Sequence, residues 1–400
     1  MIRIAIDGNE ANVENRVGSN AYAFELLVSL EKILRQRGDI SVTVLLASPA
    51  LTDFPEAREN WKYIAFGPVP FWTQWALPWY LFNFKSSFDV VFTPGHYAPR
   101  YSPVPYVSSV MDLAYIHFPK QFKKKDQLQL SEWTRYSVRH AKKVIAISEF
   151  TKQAIIDQYK LPADKIVVAY PGIRQAESSS IKEKDKIATL HKWHIKRPYL
   201  LYVGTLQPRK NLVNLIAAFE LVVKNAKQDI ESNKKKKAYV MLDAGKLESL
   251  QLVIAGKIGW LAEPISKRAE TSPLNKRIIL TGYISEIEKK VLYKEALATV
   301  LVGLYEGFGI PPLEAMAAGT LPIVSNNTSL PEVVGEAGIL VDPNSVQSIA
   351  QGIKRVLILP AKEKAGILKK GRQQIKKFDW DRSAQIVLDT LIEVAKRHDN

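Results

Sequence analysis

The stretch from Ala296 to Val324, ALATVLVGLYEGFGIPPLEAMAAGTLPIV, constrains the fold more than any other part of this chain. It contains a β-branched apolar run, residues 298–304, of the kind found in strands that are buried on both faces. A glycine-broken turn follows, then two prolines suited to a first helical turn, a glycine suited to a helix C-cap, and a second apolar run. This order of strand, loop, short helix and strand predicts an α/β fold with a parallel sheet.

Two carboxylates flank the turn, Glu306 in the loop and Glu314 early in the helix, with seven residues between them. Ligands of open α/β sheets bind outside the carboxyl ends of the strands, where a helix N-terminus favours a phosphate. Glu314 has an alternative interpretation, as an acid that complements the helix dipole in a first turn. Glu306 has no such role, and Gly307 and Gly309 beside it allow a ligand to approach the backbone closely.

Composition limits the class of protein. A chain of 400 residues with 46% hydrophobic and 24% charged residues predicts two or three globular domains with a substantial core. The absence of cysteine excludes disulfides and thiolate metal sites and favours a reducing compartment. Asp7 comes too early for a signal peptide, and no apolar run reaches the ~18 residues of a membrane span. We therefore expect a cytoplasmic location, with peripheral attachment to the inner membrane face as a further option.

The net charge of +16 calls for an anionic partner, either a nucleotide diphosphate, an anionic membrane surface or nucleic acid. Lysine clusters at 123–125 and 234–237 supply part of this charge, and such runs are most often solvated surface. Near a bilayer, each basic residue would add about 1 kcal/mol of attraction to anionic lipid. Nucleic acid is disfavoured, because the sequence has no zinc-finger spacing, RNP-like strand or basic coiled coil.

The segment FWTQWALPWYLFNF, residues 71–84, is unusually aromatic. Trp72, Trp75 and Trp79 recur at helix-like spacing, and Pro78 interrupts the pattern. An aromatic stripe is usually part of the core, which is the favoured interpretation here; a bilayer interface or an acceptor groove is the alternative. A membrane role would require six of these fourteen residues to be exposed.

The block YEGFGIPPLEAMAAGTLPIV resembles the E-x7-E signature of the retaining GT-B glycosyltransferases of the family 4 type, which share the group 1 glycosyl transferase domain. The resemblance implies that Glu306 lies against the donor sugar and that Glu314 accepts hydrogen bonds from the nucleotide ribose. It also implies donor contacts for the residues of the turn itself, Gly307, Phe308 and Gly309.

A second strand-to-helix turn, GTLQPRKN after the apolar run 199–203, carries two adjacent cations. Arg209 and Lys210 can both lie against a diphosphate, next to the positive end of the helix that follows. In the resembling family this pair binds the diphosphate of the nucleotide sugar, and Gly204 belongs to the same turn. A solvated basic turn is the alternative. Lys257, in GKIGW after the next strand, can also face the phosphates.

The first half opens with a strand, a loop containing Gly18, and a helix, which is the first βα unit of a doubly wound domain. In the resembling family the corresponding glycine loop touches donor phosphate or acceptor, so Gly18 is a candidate binding residue. A plain helix-start glycine is an equally good interpretation.

The block MDLAYIHFP resembles the family's HDL block, in which a histidine at a strand end faces the reaction centre. Asp112 matches this pattern, but Met111 stands in place of the histidine. Methionine cannot donate a hydrogen bond. Three outcomes remain open: His117 or His96 takes part from nearby, catalysis proceeds without a histidine, or activity is impaired.

The resemblance runs from about Ile4 to Lys396 and implies the GT-B fold, two Rossmann-like doubly wound domains facing an interdomain cleft. We expect an acceptor-binding domain at 1–173, a polar linker at 174–197 that can contain one short helix, and a nucleotide-sugar-binding domain at 198–377. The last helix, 378–396, is expected to cross back to the first domain.

The implied reaction is transfer of a hexose, with mannose favoured, from a nucleotide-diphosphate sugar to a glycan or lipid-linked acceptor in cell-surface polysaccharide assembly, with retention. The alternative is a catalytically impaired relative that binds a nucleotide sugar as a partner subunit. No metal is expected, because Arg209 and Lys210 would take its place. Asp379 and Asp381 have the spacing of a metal-binding pair, but helix capping is favoured for them.

Overall fold

The structure is a computed structural model that describes residues 1–67, 71–95, 97–173, 181–232 and 244–397. His96, the lysines at 234–237 and the start of the predicted linker lie outside the described residues. The chain divides into two compact units. Unit 1 comprises Met1–Arg174 and Phe378–Asn400, and unit 2 comprises Gln175–Lys377.

Thirteen strands form the two sheets in the described part of the chain. In chain order they are β1 (Ile2–Asp7), β2 (Ile40–Leu46), β3 (Trp61–Ala65), β4 (Val90–Thr93), β5 (Tyr106–Val110), β6 (Lys143–Ala146), β7 (Ile166–Val168), β8 (Tyr199–Val203), β9 (Gln251–Ala255), β10 (Ile278–Gly282), β11 (Ala298–Leu301), β12 (Leu321–Ser325) and β13 (Ile339–Val341).

The α-helices connect and cover these strands. In chain order they are α1 (Ser19–Leu34), α2 (Ala76–Asn83), α3 (Ala114–His117), α4 (Lys124–His140), α5 (Glu149–Tyr159), α6 (Glu183–Lys192), α7 (Leu212–Ser232), α8 (Ala244–Ser249), α9 (Glu263–Glu270), α10 (Glu286–Glu295), α11 (Ile310–Ala318), α12 (Leu330–Val334), α13 (Val346–Ile358), α14 (Ala361–Gln374) and α15 (Trp380–Lys396).

Each unit contains one doubly wound sheet. The order is β3-β2-β1-β4-β5-β6-β7 in unit 1 and β10-β9-β8-β11-β12-β13 in unit 2, and neighbouring strands are parallel. Strand addition reverses direction between β1 and β4 and again between β8 and β11. These two places are the topological switch points, where open α/β sheets bind ligands. The predicted fold class is confirmed.

The C-terminal helix α15 is part of unit 1, where it packs on α1 through the rings of Tyr22 and Trp380, whose centroids are 5.7 Å apart. A Cβ atom on Gly172 would lie 2.3 Å from the backbone nitrogen of Trp380, so a larger residue there would push the helix away. Asp379 caps α15 by accepting a 2.9 Å hydrogen bond from the backbone N–H of Arg382. The capping interpretation of Asp379 is therefore confirmed.

Some elements differ from their expected bounds. Strand β3, at the edge of the first sheet, was not predicted, and β11 ends at Leu301 rather than at residue 304. The range predicted as a linker contains α6, the short helix that the sequence allowed. It is not a bare linker, because Leu190 and Trp193 pack against the core of unit 2. The polar composition of this range reflects the solvated side of that helix.

The aromatic segment 71–84 is divided between core and surface. Trp72 is buried, whereas Trp75 and Trp79 are exposed, so the core interpretation is wrong for two of the three tryptophans. Among the helices that the structure describes, none combines the length and the apolar character needed to cross a membrane.

Candidate functional site

The site in unit 2 is built from the loops that follow β8 and β11, two strands that pair side by side at the switch point. The backbone N–H of Leu304 donates to the carbonyl oxygen of Arg209 at 2.8 Å. The side-chain amide of Asn211 donates to the carbonyl oxygens of Val302 and Pro343 at 3.0 and 2.7 Å. These bonds hold the two loops in one arrangement, although they are far apart in the sequence.

Three predicted residues meet in these loops. The Nζ atom of Lys210 lies 2.7 Å from each carboxylate oxygen of Glu306, which is only 6% exposed. The Nη1 atom of Arg209 lies 3.6 Å from the same carboxylate and donates to the carbonyl oxygen of Tyr305 at 3.0 Å. Two cations thus face one carboxylate in these loops.

The charge of Glu306 also affects Tyr202. Burial, together with the charge of Glu306, holds the pKa of Tyr202 well above its usual range. The hydroxyl group of Tyr202 therefore stays protonated and donates to the carbonyl oxygen of Thr205 at 3.2 Å. This bond supports the first residues of the loop after β8.

The turn between β11 and α11 depends on Gly309. Its φ of 112° favours glycine, and an added Cβ atom would lie 2.6 Å from Leu330 Cδ2. The hydroxyl group of buried Ser329 lies 2.8 and 2.7 Å from the carbonyl oxygens of Glu306 and Phe308. These contacts stabilise the turn. Two prolines in the first turn of α11 lack N–H groups. The helix thus offers its positive end with fewer hydrogen-bond donors than a typical N-terminus.

Glu314 occupies a separate arrangement on α11. Its two carboxylate oxygens accept from Lys289 Nζ at 2.8 Å and from the hydroxyl of Tyr293 at 2.7 Å, both on α10. Burial alone would lower the pKa of Lys289, but the carboxylates of Glu314 and Glu286 outweigh it and raise that pKa. The dipole interpretation of Glu314 is wrong, because no acidic residue lies in the first turn of α11, a helix described over its whole length.

The loops after β8 and β9 also touch. A Cβ atom on Gly256 would lie 2.0 Å from the carbonyl oxygen of Gly204, so this close approach requires a glycine. Lys257 has an exposed side chain, and its Nζ atom lies 5.2 Å from the ring centroid of Tyr283. Gly307 is buried within the loop after β11.

The remaining predicted residues lie in unit 1. Gly18 is the N-cap residue of α1. Asp112 accepts a 3.0 Å hydrogen bond from the backbone N–H of Ala114 and so supports the start of α3, at whose end His117 is exposed. Met111, which replaces the family's histidine, is 7% exposed.

Sequence reasoning missed the residues that support this site, Asn211, Ser329, Lys289 and Tyr293. Asn211 directly follows the Arg–Lys pair, so its adjacency was an available signal. The other three come from helices or loops whose local sequence shows no unusual pattern. Among the described residues, no group of three or more histidine, aspartate or glutamate side chains is placed to bind a metal ion.

Comparison with known proteins identifies the class. Residues 183–374 match the family described as Glycosyl transferases group 1, and residues 19–177 match Glycosyltransferase Family 4. Between them the two matches extend through both units. The chain is a glycosyltransferase of the GT-B fold, and residues 183–374 form a group 1 glycosyl transferase domain.

Three mannosyltransferases are similar to this chain in sequence. The O-antigen chain mannosyltransferase B of Escherichia coli is 29% identical over 283 residues, 69% of this chain and 67% of the relative. The O-antigen chain mannosyltransferase RfbU of Salmonella typhimurium is 25% identical over 324 residues, 79% of this chain and 80% of the relative. The serotype-specific mannosyltransferase WbdA of Escherichia coli is 28% identical over 62% of this chain, but the match spans only 28% of that longer protein.

Solved structures share the fold. A glycosyltransferase from Rickettsia africae ESF-5 superimposes with a TM-score of 0.68 at 18% identity and covers 99% of both chains. Anabaena HepE, solved in complex with UDP-glucose, gives a TM-score of 0.68 at 16% identity over 98% of this chain and 100% of the neighbour. At these identities the likeness concerns the fold alone.

Proposed function

We propose that this enzyme transfers a hexose, with mannose favoured, from a nucleotide-diphosphate sugar to a hydroxyl group of a glycan or lipid-linked acceptor, with retention at the anomeric carbon. The observation that carries the proposal is the cluster of Arg209, Lys210 and Glu306 at the switch point of unit 2. The preference for mannose and for cell-surface polysaccharide assembly rests on the names of the O-antigen relatives. The nucleotide-sugar donor is supported by the family resemblance and by the UDP-glucose complex of HepE.

The two cations of the cluster suit the leaving group. As the bond between the sugar and the diphosphate breaks, negative charge develops on the departing phosphate oxygen, and fixed cations nearby lower the energy of that transition state. Arg209 and Lys210 supply those cations, and the N-terminal end of α11 adds its dipole. In this proposal the two side chains take the role that a divalent metal has in other reactions of diphosphates.

The two glutamates suit the rest of the donor. Ionised carboxylates accept hydrogen bonds from hydroxyl groups, which both the sugar and the ribose present. Glu306 is assigned to the sugar, because it lies beside the cations that hold the diphosphate. Glu314 is assigned to the ribose, and Lys289 and Tyr293 fix the direction of its carboxylate before the donor arrives.

The first experiment identifies the donor. A ligand that binds only the folded state raises the melting temperature. Thermal unfolding should therefore be followed with UDP, GDP, ADP and their sugars, and one nucleotide should give a clearly larger increase than the others. Donor turnover is then measured as release of that nucleotide, with and without a chelator of divalent cations. The rate is expected to be unchanged by the chelator.

The second experiment tests the site. Glu306→Gln and Arg209→Ala are each expected to lower the rate of nucleotide release by about a hundredfold or more, the usual loss for one electrostatic group at a reacting centre. Glu263→Gln changes an exposed carboxylate on α9 and serves as the matched control. Wild-type rates in both site variants would overturn the assignment. Sugar transfer by the wild-type enzyme would eliminate the binding-only alternative.

A further inference from the structure

Unit 1 displays a group of exposed aromatic side chains, which we call the aromatic face. It consists of Phe71, Trp75, Trp79, Phe82 and Phe84, which are 62%, 71%, 65%, 67% and 45% exposed. With Asn83, six of the fourteen residues of this segment are exposed, the number that the membrane interpretation required. Soluble proteins rarely display several large aromatic rings side by side, and such patches mark interaction sites.

The aromatic face lies on an element that is firmly held from its other side. Ala76, Leu77 and Leu81 of α2 belong to the core of unit 1. The ring of Tyr80 stacks on that of Phe66 with centroids 4.4 Å apart. Because one side of the helix is packed in this way, the rings of Trp75, Trp79 and Phe82 cannot turn inward without displacing the core. The ring of Phe84 instead packs against that of Tyr80, with centroids 4.6 Å apart.

The sequence on either side of the aromatic face is poor in negative charge. Between Glu59 and Asp112 the sequence contains one carboxylate, Asp89, and three basic residues, Lys62, Lys85 and Arg100. Asp89 is neutralised by an ion pair with Arg3 and has a side chain that is only 13% exposed. Lys85 is exposed and directly follows the aromatic face.

A second group of cations is connected to the same surface. Gln74, within the aromatic segment, donates to the carbonyl oxygen of Ala98 at 3.2 Å. The adjacent Tyr97 packs its ring against Trp133 of α4 with centroids 5.1 Å apart, and its hydroxyl accepts from Gln129 at 3.4 Å. One helical turn before Gln129, α4 begins at the exposed lysines 123–125. The aromatic segment and α4 thus both contact residues 97–98, and the basic start of α4 belongs to the same unit.

We propose that the aromatic face docks this enzyme on a bilayer that contains anionic lipid. Tryptophan and phenylalanine rings partition into the boundary between headgroups and acyl chains, and basic side chains beside them are attracted to anionic headgroups. A second copy of the chain is the less favoured occupant, because two such faces would bring their lysines together. The proposal is independent of the donor site, since every residue that carries it lies in unit 1.

The test is co-sedimentation with vesicles of phosphatidylcholine mixed with phosphatidylglycerol, against vesicles of phosphatidylcholine alone. The wild-type protein should bind the mixed vesicles more tightly, and added salt should weaken that binding. Trp75→Ser/Trp79→Ser should lower the partition coefficient by roughly tenfold or more, because two exposed rings no longer enter the bilayer. Ile187→Ser/Ile287→Ser removes two equally exposed apolar side chains from unit 2 and should bind as the wild type does.

Substitution of the lysines separates the electrostatic attraction to anionic lipid from the insertion of the aromatic rings. Lys123→Gln/Lys124→Gln/Lys125→Gln should weaken binding to the mixed vesicles and leave the weak binding to phosphatidylcholine unchanged. All variants should keep the wild-type melting temperature, since the altered side chains are exposed, and should release nucleotide at the wild-type rate with a water-soluble acceptor.

Two results would overturn the proposal. One is equal vesicle binding by the wild type and the tryptophan double variant. The other is a wild-type protein that binds neither kind of vesicle and sediments as a dimer, together with a tryptophan double variant that sediments as a monomer. That second result would assign the aromatic face to self-association.

Discussion

The ammonium group of Lys210 lies 2.7 Å from both carboxylate oxygens of Glu306, although 95 other residues separate them in the sequence. The two side chains come from loops that follow neighbouring strands of one parallel sheet. Both are largely buried, so neither charge is fully solvated, and their pairing offsets part of the cost of burying them. The donor diphosphate proposed for this site would meet a carboxylate and two cations that are already in position.

Lys210→Met is expected to destabilise the protein by about 3 kcal/mol, because it leaves the carboxylate of Glu306 buried with only Arg209 at a longer distance. The double variant Lys210→Met/Glu306→Gln should recover part of that loss, since the uncompensated charge is then gone. Urea unfolding of the wild type, both single variants and the double variant measures the coupling. If the double variant is no more stable than Lys210→Met, the loss of stability does not come from the uncompensated charge of Glu306.

Tyr293→Phe removes the hydroxyl that donates to Glu314 Oε2 at 2.7 Å and leaves the ring in place. If Glu314 binds the ribose, the KM for the donor should rise by roughly fivefold to tenfold, which corresponds to one hydrogen bond of about 1 kcal/mol. The kcat should change little, because Glu314 does not touch the bond that breaks. Steady-state kinetics with varied donor provides the measurement.

Tyr101→Phe is the matched control for this substitution, since Tyr101 is 82% exposed and lies in unit 1. Its KM for the donor should equal that of the wild type. A loss of kcat in Tyr293→Phe with no change in KM would contradict the assigned role of Glu314.

Gly309→Ala is expected to lower the free energy of unfolding by about 1–3 kcal/mol, because alanine is strained at a φ of 112° and its Cβ atom would meet Leu330. Gly366→Ala serves as the control, because nothing lies within 4 Å of a Cβ atom added there in α14. That substitution should be neutral or stabilise the helix by up to about 1 kcal/mol. Chemical unfolding of both variants distinguishes turn strain from a general effect of adding a methyl group.

Asp7, at the carboxyl end of β1, should make stability depend on pH. Burial raises its pKa to about 7, with a smaller contribution from the charge of Glu10, although hydrogen bonds from Asn9 oppose the increase. The folded state therefore holds a proton that the unfolded chain has lost above about pH 4. Because the folded state binds more protons in this window, stability falls as pH rises from about 4 to about 7.

Asp7→Asn removes this titration and keeps an oxygen that can accept from the backbone of Asn9. The difference in melting temperature between the variant and the wild type should be small near pH 4 and should grow in favour of the variant up to pH 7. A difference that stays constant across this range would show that Asp7 titrates normally.

Much of the fold was predictable because it follows from local patterns. Apolar β-branched runs marked the strands, glycine turns marked their ends, and amphipathic segments marked the helices. Ser148 caps α5 by accepting a 2.9 Å hydrogen bond from the backbone N–H of Thr151, as its position before that helix predicted. Strand β3 was missed, because it carries charged and aromatic residues at a sheet edge and has no apolar run.

The aromatic segment shows that local patterns are insufficient to predict which face of a helix is buried. Spacing predicts which side chains of a helix share a face, but not which face the core takes. In the structure the core takes Leu77 and Leu81, and Trp75 and Trp79 are left exposed on the other side. Either choice buries apolar surface, so only packing against the neighbouring strands could decide between them.

The sequence by itself determined the two doubly wound sheets, the class of the protein and the candidate residues Glu306, Arg209 and Lys210, because strand periodicity and turn chemistry act over a few residues. The tertiary structure alone decided that Lys210 pairs with Glu306 and that Lys289 and Tyr293 hold Glu314. Those contacts join residues that are distant in the chain. They exist only because parallel strands bring their carboxyl ends, and the loops that follow, to the same edge of a sheet.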